Sequence, residues 1–488
     1  MADVHSAPDR SLGGRQLAAL LPDATAMKPV YRHLAQAISA LILDGRVALH
    51  VRLPAERELA GALHVSRATV TAVYDLLRES GYARSRQGSG TWTALPEGRT
   101  PTGIQRLTGL RDTAIDLARA APGLPEDTVA DALAEVTPRL TEHVHTPGYH
   151  PYGLPELRAV IAERFTRRGL PTRPEQILVT AGAQHALTLI LGLLCRPGDR
   201  VMTENPTYPN ALEALRRARL RTVPVPVTDD GWDTEIIEST FRRTVPRLAY
   251  LIPDFHNPTG CLMPTPDRVR TLRAAERSGA WLVIDETLAE LALDVPAPPP
   301  FAAHAEPGGT GRLLTIGSMS KTHWAGLRIG WLRAPARLVI ELAGQRVATD
   351  MGGSVLDQLL AHTLLTRTDD TLLPDRLHRL RGQRDALAEA LTAHFPQWTW
   401  RLPPGGLSLW ADLGEPLASG LADRALEHGV RIESGSRFAT DPGVFEQRLR
   451  IPYTIPPDTL REAVQRLAAA LATGPAHAAS PRRPHWVA

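Results

Sequence analysis

The sequence predicts an α/β chain: a compact N-terminal unit of helices closed by a short hairpin, then a mostly parallel sheet covered by helices, then a smaller α+β domain. Three observations predict it. At 488 residues the chain is too long for one compact core. Between Ile177 and Gly317, short β-rich runs alternate with helix-period stretches, the pattern of a parallel sheet with helices on its faces. Residues 94–113 mix Pro, Gly, Thr and charge without sustained apolar periodicity, as linkers do.

Composition bounds the function. With 43% hydrophobic and 22% charged residues the chain reads as an ordinary globular protein, neither fibrous nor disordered. The longest apolar run, Leu187 to Cys195, falls well short of the roughly 18–20 residues of a membrane helix. Residues 1–14 lack a basic-then-apolar leader pattern, so no membrane partner and a cytoplasmic location are expected. The two cysteines, Cys195 and Cys261, sit in apolar contexts without CxxC spacing, which favours buried free thiols over a disulfide or a metal site. A net charge of +3 does not by itself mark a nucleic-acid binder, so any basic surface must be local.

The first unit, residues 29–93, opens with a helix-period stretch over Val30–Leu43. A second helix starts in Leu53-Pro54-Ala55-Glu56-Arg57-Glu58-Leu59-Ala60, with Pro and acidic residues in its first turn, where the helix dipole favours them. His64-Val65-Ser66 separates it from a third helix over Arg67–Ser80, which Ser66 is placed to cap. Val70, Val73, Leu76 and Leu77 give that helix an apolar face, while Arg67, Thr69 and Thr71 point elsewhere. Ala83–Arg86 and Gly88-Ser89-Gly90 then form a hairpin carrying Arg84 and Arg86, within reach of phosphate or a minor groove. The arginines of such a unit can also be merely solvated. The string LPAERELAGALHVSRATVTAVYDLLRESGYARSRQGSGTW resembles the winged helix-turn-helix domain of GntR-type regulators. That resemblance implies double-stranded operator DNA as a partner, contacted by Arg57, Ser66, Arg67, Thr69, Thr71 and the wing residues Gln87 and Gly88.

After the linker, β-rich runs fall at Ile177–Thr180, Arg200–Glu204, Arg221–Val227, Leu248–Pro253, Trp281–Asp285 and Leu313–Gly317, with helices such as Pro206–Arg217 and Thr265–Gly279 between them. From about Leu356 the pattern is mainly helical, with short strands near Leu407–Asp412, Val430–Glu433 and Gln447–Ile451. The expected second unit is 114–472. The tail, 473–488, rich in Ala, Pro and Arg, is expected to be disordered.

Several strand ends carry chemistry. Ser318-Met319-Ser320-Lys321 follows one strand and leads to Arg328, offering an amine, two hydroxyls and a guanidinium. Thr180-Ala181-Gly182-Ala183-Gln184 opens an apolar helix whose free amides can hold an anion. Tyr208 offers an aromatic face, Asn257 an amide donor in His256-Asn257-Pro258-Thr259-Gly260, and Asp285 a carboxylate at the end of an apolar strand. Each has an ordinary alternative: a βα turn, a covered helix start, a Pro-Thr-Gly turn, a helix cap. Together they meet what pyridoxal 5'-phosphate (PLP) needs. Lys321 would form the aldimine, Asp285 would pair the pyridine nitrogen, Asn257 would donate to the phenolate and Tyr208 would stack on the ring. Gly182, Ala183, Gln184, Ser318, Ser320 and Arg328 would cradle the phosphate.

This order, with PYGLPELRAVIAERF and NPTYPNALEAL, resembles fold-type I aminotransferases over roughly residues 115–472. With the N-terminal unit, the chain is similar to the MocR/GabR-type subfamily of GntR regulators. The resemblance implies a homodimeric, PLP-dependent transcription regulator that senses an amino acid or PLP through the Lys321 aldimine. It makes Arg450 the carboxylate-binding arginine of the effector pocket and lets Tyr149 reach the neighbouring subunit's pocket; a surface ion pair on a strand is the other reading of Arg450. One departure stands out. Where such proteins carry a tyrosine shortly after the aspartate, here the run is Asp285-Glu286-Thr287, and a threonine lacks the reach of a phenol. The complete cofactor set leaves open a working aminotransferase with an appended DNA-binding domain, while the departure puts efficient transamination in doubt and supports a third reading, a repressor with a vestigial pocket.

Overall fold

The structure is a computed structural model that describes residues 11–21, 28–86, 90–96, 114–306, 311–367 and 372–473. Gln87, Gly88, most of the 94–113 linker and all but the first residue of the 473–488 tail lie outside the described residues.

The N-terminal unit contains α1 (Gly14–Ala19), α2 (Val30–Leu43), α3 (Glu56–Leu63), α4 (Arg67–Glu79) and the antiparallel pair β1 (Ala83–Arg86) and β2 (Gly90–Thr93). His64, in the left-handed region at φ 55°, ends α3, and Ser66 starts α4 by accepting the Thr69 amide at 3.0 Å. The α3–turn–α4 corner is therefore fixed by local hydrogen bonding. Ile38 and Ile42 of α2 and Val70, Val73 and Leu77 of α4 share one core, so α2 and α4 move together. α1, which has no counterpart in the sequence reading, packs on α3, with Leu17 fully buried and the Gly14 amide donating to Glu58 at 2.6 Å.

Beyond β3 (Ile115–Leu117) and the helices α5 (Glu126–His143) and α6 (Pro155–Arg167), an eight-stranded sheet is built. Its strands are β4 (Ile177–Thr180), β5 (Arg200–Asn205), β6 (Arg221–Thr228), β7 (Gly231–Trp232), β8 (Leu248–Leu251), β9 (Trp281–Asp285), β10 (Leu313–Ser318) and β11 (Gly330–Arg333), in spatial order β4-β11-β10-β9-β8-β5-β6-β7. The β10-β9-β8-β5-β6 run is parallel, and β11 is antiparallel to both neighbours. Side chains alternate between two cores: Ile177, Val179, Leu282 and Ile284 face one, Leu178 and Val283 the other. Helices α7 (Ala183–Leu194) and α8 (Pro209–Arg217) follow β4 and β5.

Two elements are shorter than the sequence suggests. β8 stops at Leu251, where the Ile252 amide turns to a carboxylate oxygen of Glu204 instead of the ladder. α8 begins at Pro209, because Pro is accommodated in a first helical turn while Tyr208, the residue before it, is held extended by that proline. The C-terminal part holds a second sheet of β12 (Ser408–Asp412), β13 (Val430–Ser434) and β14 (Arg448–Pro452), in order β12-β14-β13-β3. Among the described residues, no helix is long and apolar enough to cross a membrane.

Candidate cofactor and effector site

Every residue assigned above to the cofactor lines one cavity of about 560 Å³ at the C-terminal ends of β4, β5, β9 and β10. Ile252, Phe255, Leu288 and Leu407 supply much of its remaining wall, so polar groups act in a largely apolar enclosure.

Lys321 sits in the short helix Met319–Thr322 that follows β10 and donates to the Ala120 carbonyl at 2.8 Å. Burial, reinforced by the Arg450 charge and opposed by Asp285, pulls its pKa down to about 7. A lysine so placed carries a substantial neutral fraction near pH 7, which is what nucleophilic attack on an aldehyde needs. Asp285 is buried at the end of β9; burial raises its pKa, while hydrogen bonds from the Tyr250 hydroxyl (2.7 Å) and the Thr287 amide (3.0 Å) oppose the rise. Tyr250, in β8, escaped the sequence reading. No local signal marks it: it lies one strand over from Asp285 on the same parallel ladder, where Tyr250 pairs with Val283, and only the strand order reveals that neighbour.

The phosphate cradle is made of turns. Gly182 caps α7 at φ 88°, and a Cβ there would meet Arg328 Nη2 at 3.2 Å, so a side chain would crowd the guanidinium. Arg328 itself holds a left-handed conformation, φ 53°, and donates to the Ala181 carbonyl at 2.6 Å. A non-glycine residue held there costs of order 1 kcal/mol, and such strain concentrates at binding sites. Ser318 caps the Met319–Thr322 helix, with its hydroxyl 2.9 Å from that of Ser320. Gln184 donates to the Asn210 carbonyl at 3.0 Å, while its buried Oε1 has no hydrogen-bond partner among the described residues. The anion-seeking helix start, the hydroxyls, the guanidinium, the buried carboxylate and the amine fit PLP.

Tyr208 stands at the start of α8 with its hydroxyl 2.7 Å from Asn210 Nδ2, and burial raises its pKa. Arg450 is fully buried in β14 behind Asn257, whose Oδ1 accepts from it at 3.5 Å; it also donates to the Ala118 carbonyl and lies 4.9 Å above the Phe438 ring. Burial lowers its pKa to about 10, and its Nε has no hydrogen-bond partner among the described residues. It is thus not a surface ion pair. It stands in the wall behind Asn257 and does not line the cavity itself. Tyr149 is 63% exposed and is not brought to the cavity of its own chain. Thr287 and Leu288 follow Asp285 along the wall, so no phenol stands in the stretch where the resemblance calls for one.

This geometry, on a winged helix-turn-helix followed by an α/β sheet, can be set beside known proteins. Residues 30–92 match the model described as bacterial regulatory proteins, gntR family, and residues 114–467 match aminotransferase class I and II. A protein named "Probable rhizopine catabolism regulatory protein MocR", from Rhizobium meliloti, is 33% identical over 482 residues, covering 92% of this chain and 95% of its own. The chain belongs to the MocR-type subfamily of GntR transcription regulators. It is a DNA-binding regulator with an aminotransferase-like domain. The 2-aminoadipate transaminase of Thermus thermophilus is 33% identical over 360 residues, covering 72% of this chain and 88% of its own. A crystal structure of LysN, an α-aminoadipate aminotransferase from the same species complexed with N-(5'-phosphopyridoxyl)-L-leucine, superimposes with a TM-score of 0.69 at 31% identity, covering 74% of this chain and 93% of that one.

In the N-terminal unit, Arg57 of α3 is exposed, and Arg67 at the start of α4 is paired with Glu56 at 3.0 Å. The Thr71 hydroxyl donates to the Arg67 carbonyl at 3.1 Å, and the Ser66 and Thr69 hydroxyls lie 2.8 Å apart. Ser66 Oγ is engaged in capping α4, and the Thr71 hydroxyl bonds back to its own helix.

Proposed function

We propose that the chain is a homodimeric regulator that holds PLP on Lys321 and changes its hold on operator DNA when a primary amine carrying a carboxylate, an amino acid, enters the same pocket; PLP itself is the other candidate signal. The observation that carries this reading is the pairing of a half-buried lysine near neutrality with a buried arginine in the wall of the same site, the Arg450 charge helping to lower the lysine's pKa. When bound, the cofactor supplies an aldehyde that exchanges one amine partner for another. Everything else falls to the chain's own residues. Asp285 holds charge at the pyridine end, Ser318, Ser320, Arg328 and the start of α7 fix the phosphate, and the apolar wall excludes water. Arg450, behind Asn257, supplies the positive charge that favours amines bringing a carboxylate. Tyr149, exposed on its own chain, reaches the partner's pocket in the dimer.

The test is operator binding by the full chain, with and without PLP and a panel of amino acids, for the native protein and Lys321→Ala. The variant should lose the visible absorbance of lysine-bound pyridoxal and the response to amines, while DNA binding without ligand stays within a few-fold. A Lys321→Ala protein that responds normally rules the reading out. The aminotransferase reading draws on the complete donor set; multiple-turnover conversion of common amino acids to keto acids would establish it. Thr287 and Leu288 in place of a phenol argue that any turnover is slow.

A further inference from the structure

The two walls of the pocket meet the DNA-binding unit at one corner. On one wall, the loop that carries Tyr208 is tied at Asn205 and Thr207: Asn205 Oδ1 accepts the Thr440 amide at 3.0 Å, and the Thr207 amide donates to the Phe438 carbonyl at 2.8 Å. On the other wall, the guanidinium of Arg450 rests 4.9 Å from the Phe438 ring. The 438–440 segment therefore touches both. From there the packing is aromatic: the Trp410 ring meets Phe438 edge-on at 5.8 Å and Phe445 at 6.0 Å.

Phe445 belongs to the core of the DNA-binding unit as much as to its own domain, together with Trp410, Phe438 and Val444. Its amide donates to the Leu43 carbonyl at the end of α2, at 2.7 Å. Gln447 donates to the carboxylate of Asp44, and burial of Asp44 in this contact raises its pKa against the pull of Arg448. Gly45 completes the corner at φ +68°: a Cβ there would lie 2.7 Å from Asn205 Nδ2 and 2.9 Å from the end of the Phe445 ring. The contact leaves no slack.

We infer that the Leu43–Gly45 corner, seated on Phe445 and Asn205, is the surface through which the DNA-binding unit reads the pocket. An occupant that draws Arg450 or Tyr208 toward itself displaces Phe438 and Asn205. Close-packed interiors pass on such shifts instead of absorbing them, so α2 moves, and with it α4, which shares its core. This inference rests on the ligand reading proposed above and adds the contact by which occupancy reaches DNA.

The experiment uses the full chain with Phe445→Ala, Asp44→Ala and the conservative Asp44→Asn, PLP and amino acids being the probes. Coupling between two sites spans about 5- to 150-fold in affinity. Phe445→Ala and Asp44→Ala should keep the pyridoxal absorbance, its change on adding amine, and ligand-free operator binding, yet lose most of the ligand-induced change in operator affinity. Asp44→Asn, which keeps the acceptor for Gln447, should retain it. Retention of the full change by both disrupting variants, with their absorbance intact, overturns the inference. Hydrogen exchange over residues 43–47 decides the case in which the native protein shows no ligand-induced change, an outcome that refutes the proposed function instead. PLP should slow exchange there in the native chain and not in Phe445→Ala, while peptides covering Val70 and Tyr74 stay protected in both as a check on folding; no effect of PLP on 43–47 overturns the inference on its own.

Discussion

The Tyr250 hydroxyl donates to Asp285 Oδ2 at 2.7 Å, both groups being buried between adjacent parallel strands. The bond opposes the protonation that burial favours, and so supports the charged form that a pyridine nitrogen would pair with. Tyr250→Phe should lower stability near neutral pH by about 1.5–3 kcal/mol, the worth of a hydrogen bond to a charged group. The pH dependence separates this from packing. Because the folded pKa of Asp285 is raised, the folded state binds more protons than the unfolded one above the ordinary carboxylate range, so stability falls as pH rises through that window. Losing the phenol widens the window. Denaturant unfolding should therefore show the Tyr250→Phe deficit shrinking at acid pH, and a deficit constant from acid to neutral would assign the residue to packing alone.

Lys321 titrates in the opposite sense. Its folded pKa of about 7 lies below the ordinary lysine value, so the unfolded chain binds the extra proton, and stability of the cofactor-free protein rises with pH from about 7 toward that value. The same shift sets reactivity. Borohydride trapping of pyridoxal on Lys321, followed by peptide mass, should give rates that are half-maximal near pH 7. Arg450→Gln removes a lowering charge and should move that midpoint up; Asp285→Asn removes a raising one and should move it down. A midpoint that ignores both substitutions would leave burial as its sole cause.

The proposed role of Arg67 at DNA competes with the Glu56 carboxylate that its Nε holds at 3.0 Å. The pair is exposed, 59% on the Arg67 side chain, and such pairs contribute about 0–1 kcal/mol, so the exchange is inexpensive. Glu56→Gln should raise operator affinity a few-fold, since it frees the guanidinium and removes an anion that faces phosphate. Arg67→Ala should weaken binding by about 1–3 kcal/mol if it reads a base edge, or reduce the salt slope by about one if it touches only phosphate. Anisotropy titrations across salt concentration distinguish the two, and unchanged affinity and slope would place the DNA-reading face elsewhere.

How much of this was legible in the sequence follows from what each residue depends on. The alternation of β runs and helices is local, and so is the string from Ser318 to Arg328; both can be read because strand ends in an open sheet face one crevice. Asp285 was legible as a carboxylate ending an apolar strand, a position that demands a partner. Tyr250 was not, because an apolar strand hides a tyrosine until strand order brings β8 beside β9. The antiparallel β11 was missed for a related reason: Gly330–Arg333 is short and its partners, β4 and β10, lie far away in sequence. The corner at Leu43–Gly45 had no signal at all, since nothing local tells that Gly45 must fit against Asn205 and Phe445.

A dimer with shared sites makes a prediction that a monomer cannot satisfy. Tyr149 is exposed on its own chain and is not brought to its own cavity, so a role for it requires a second copy. Lys321→Ala lacks the amine, and Tyr149→Ala should bind PLP normally but respond weakly to amino acids. In a mixed dimer of the two, one pocket combines the intact lysine of the Tyr149→Ala subunit with the intact tyrosine of the Lys321→Ala subunit, and the other has neither. Subunit exchange should therefore restore part of the amine-dependent absorbance change that each variant lacks alone, with light scattering reporting the dimer throughout. A monomer by scattering with PLP bound, or a Tyr149→Ala protein that responds as the native chain does, would remove Tyr149 from the site and leave each pocket to be built by a single chain.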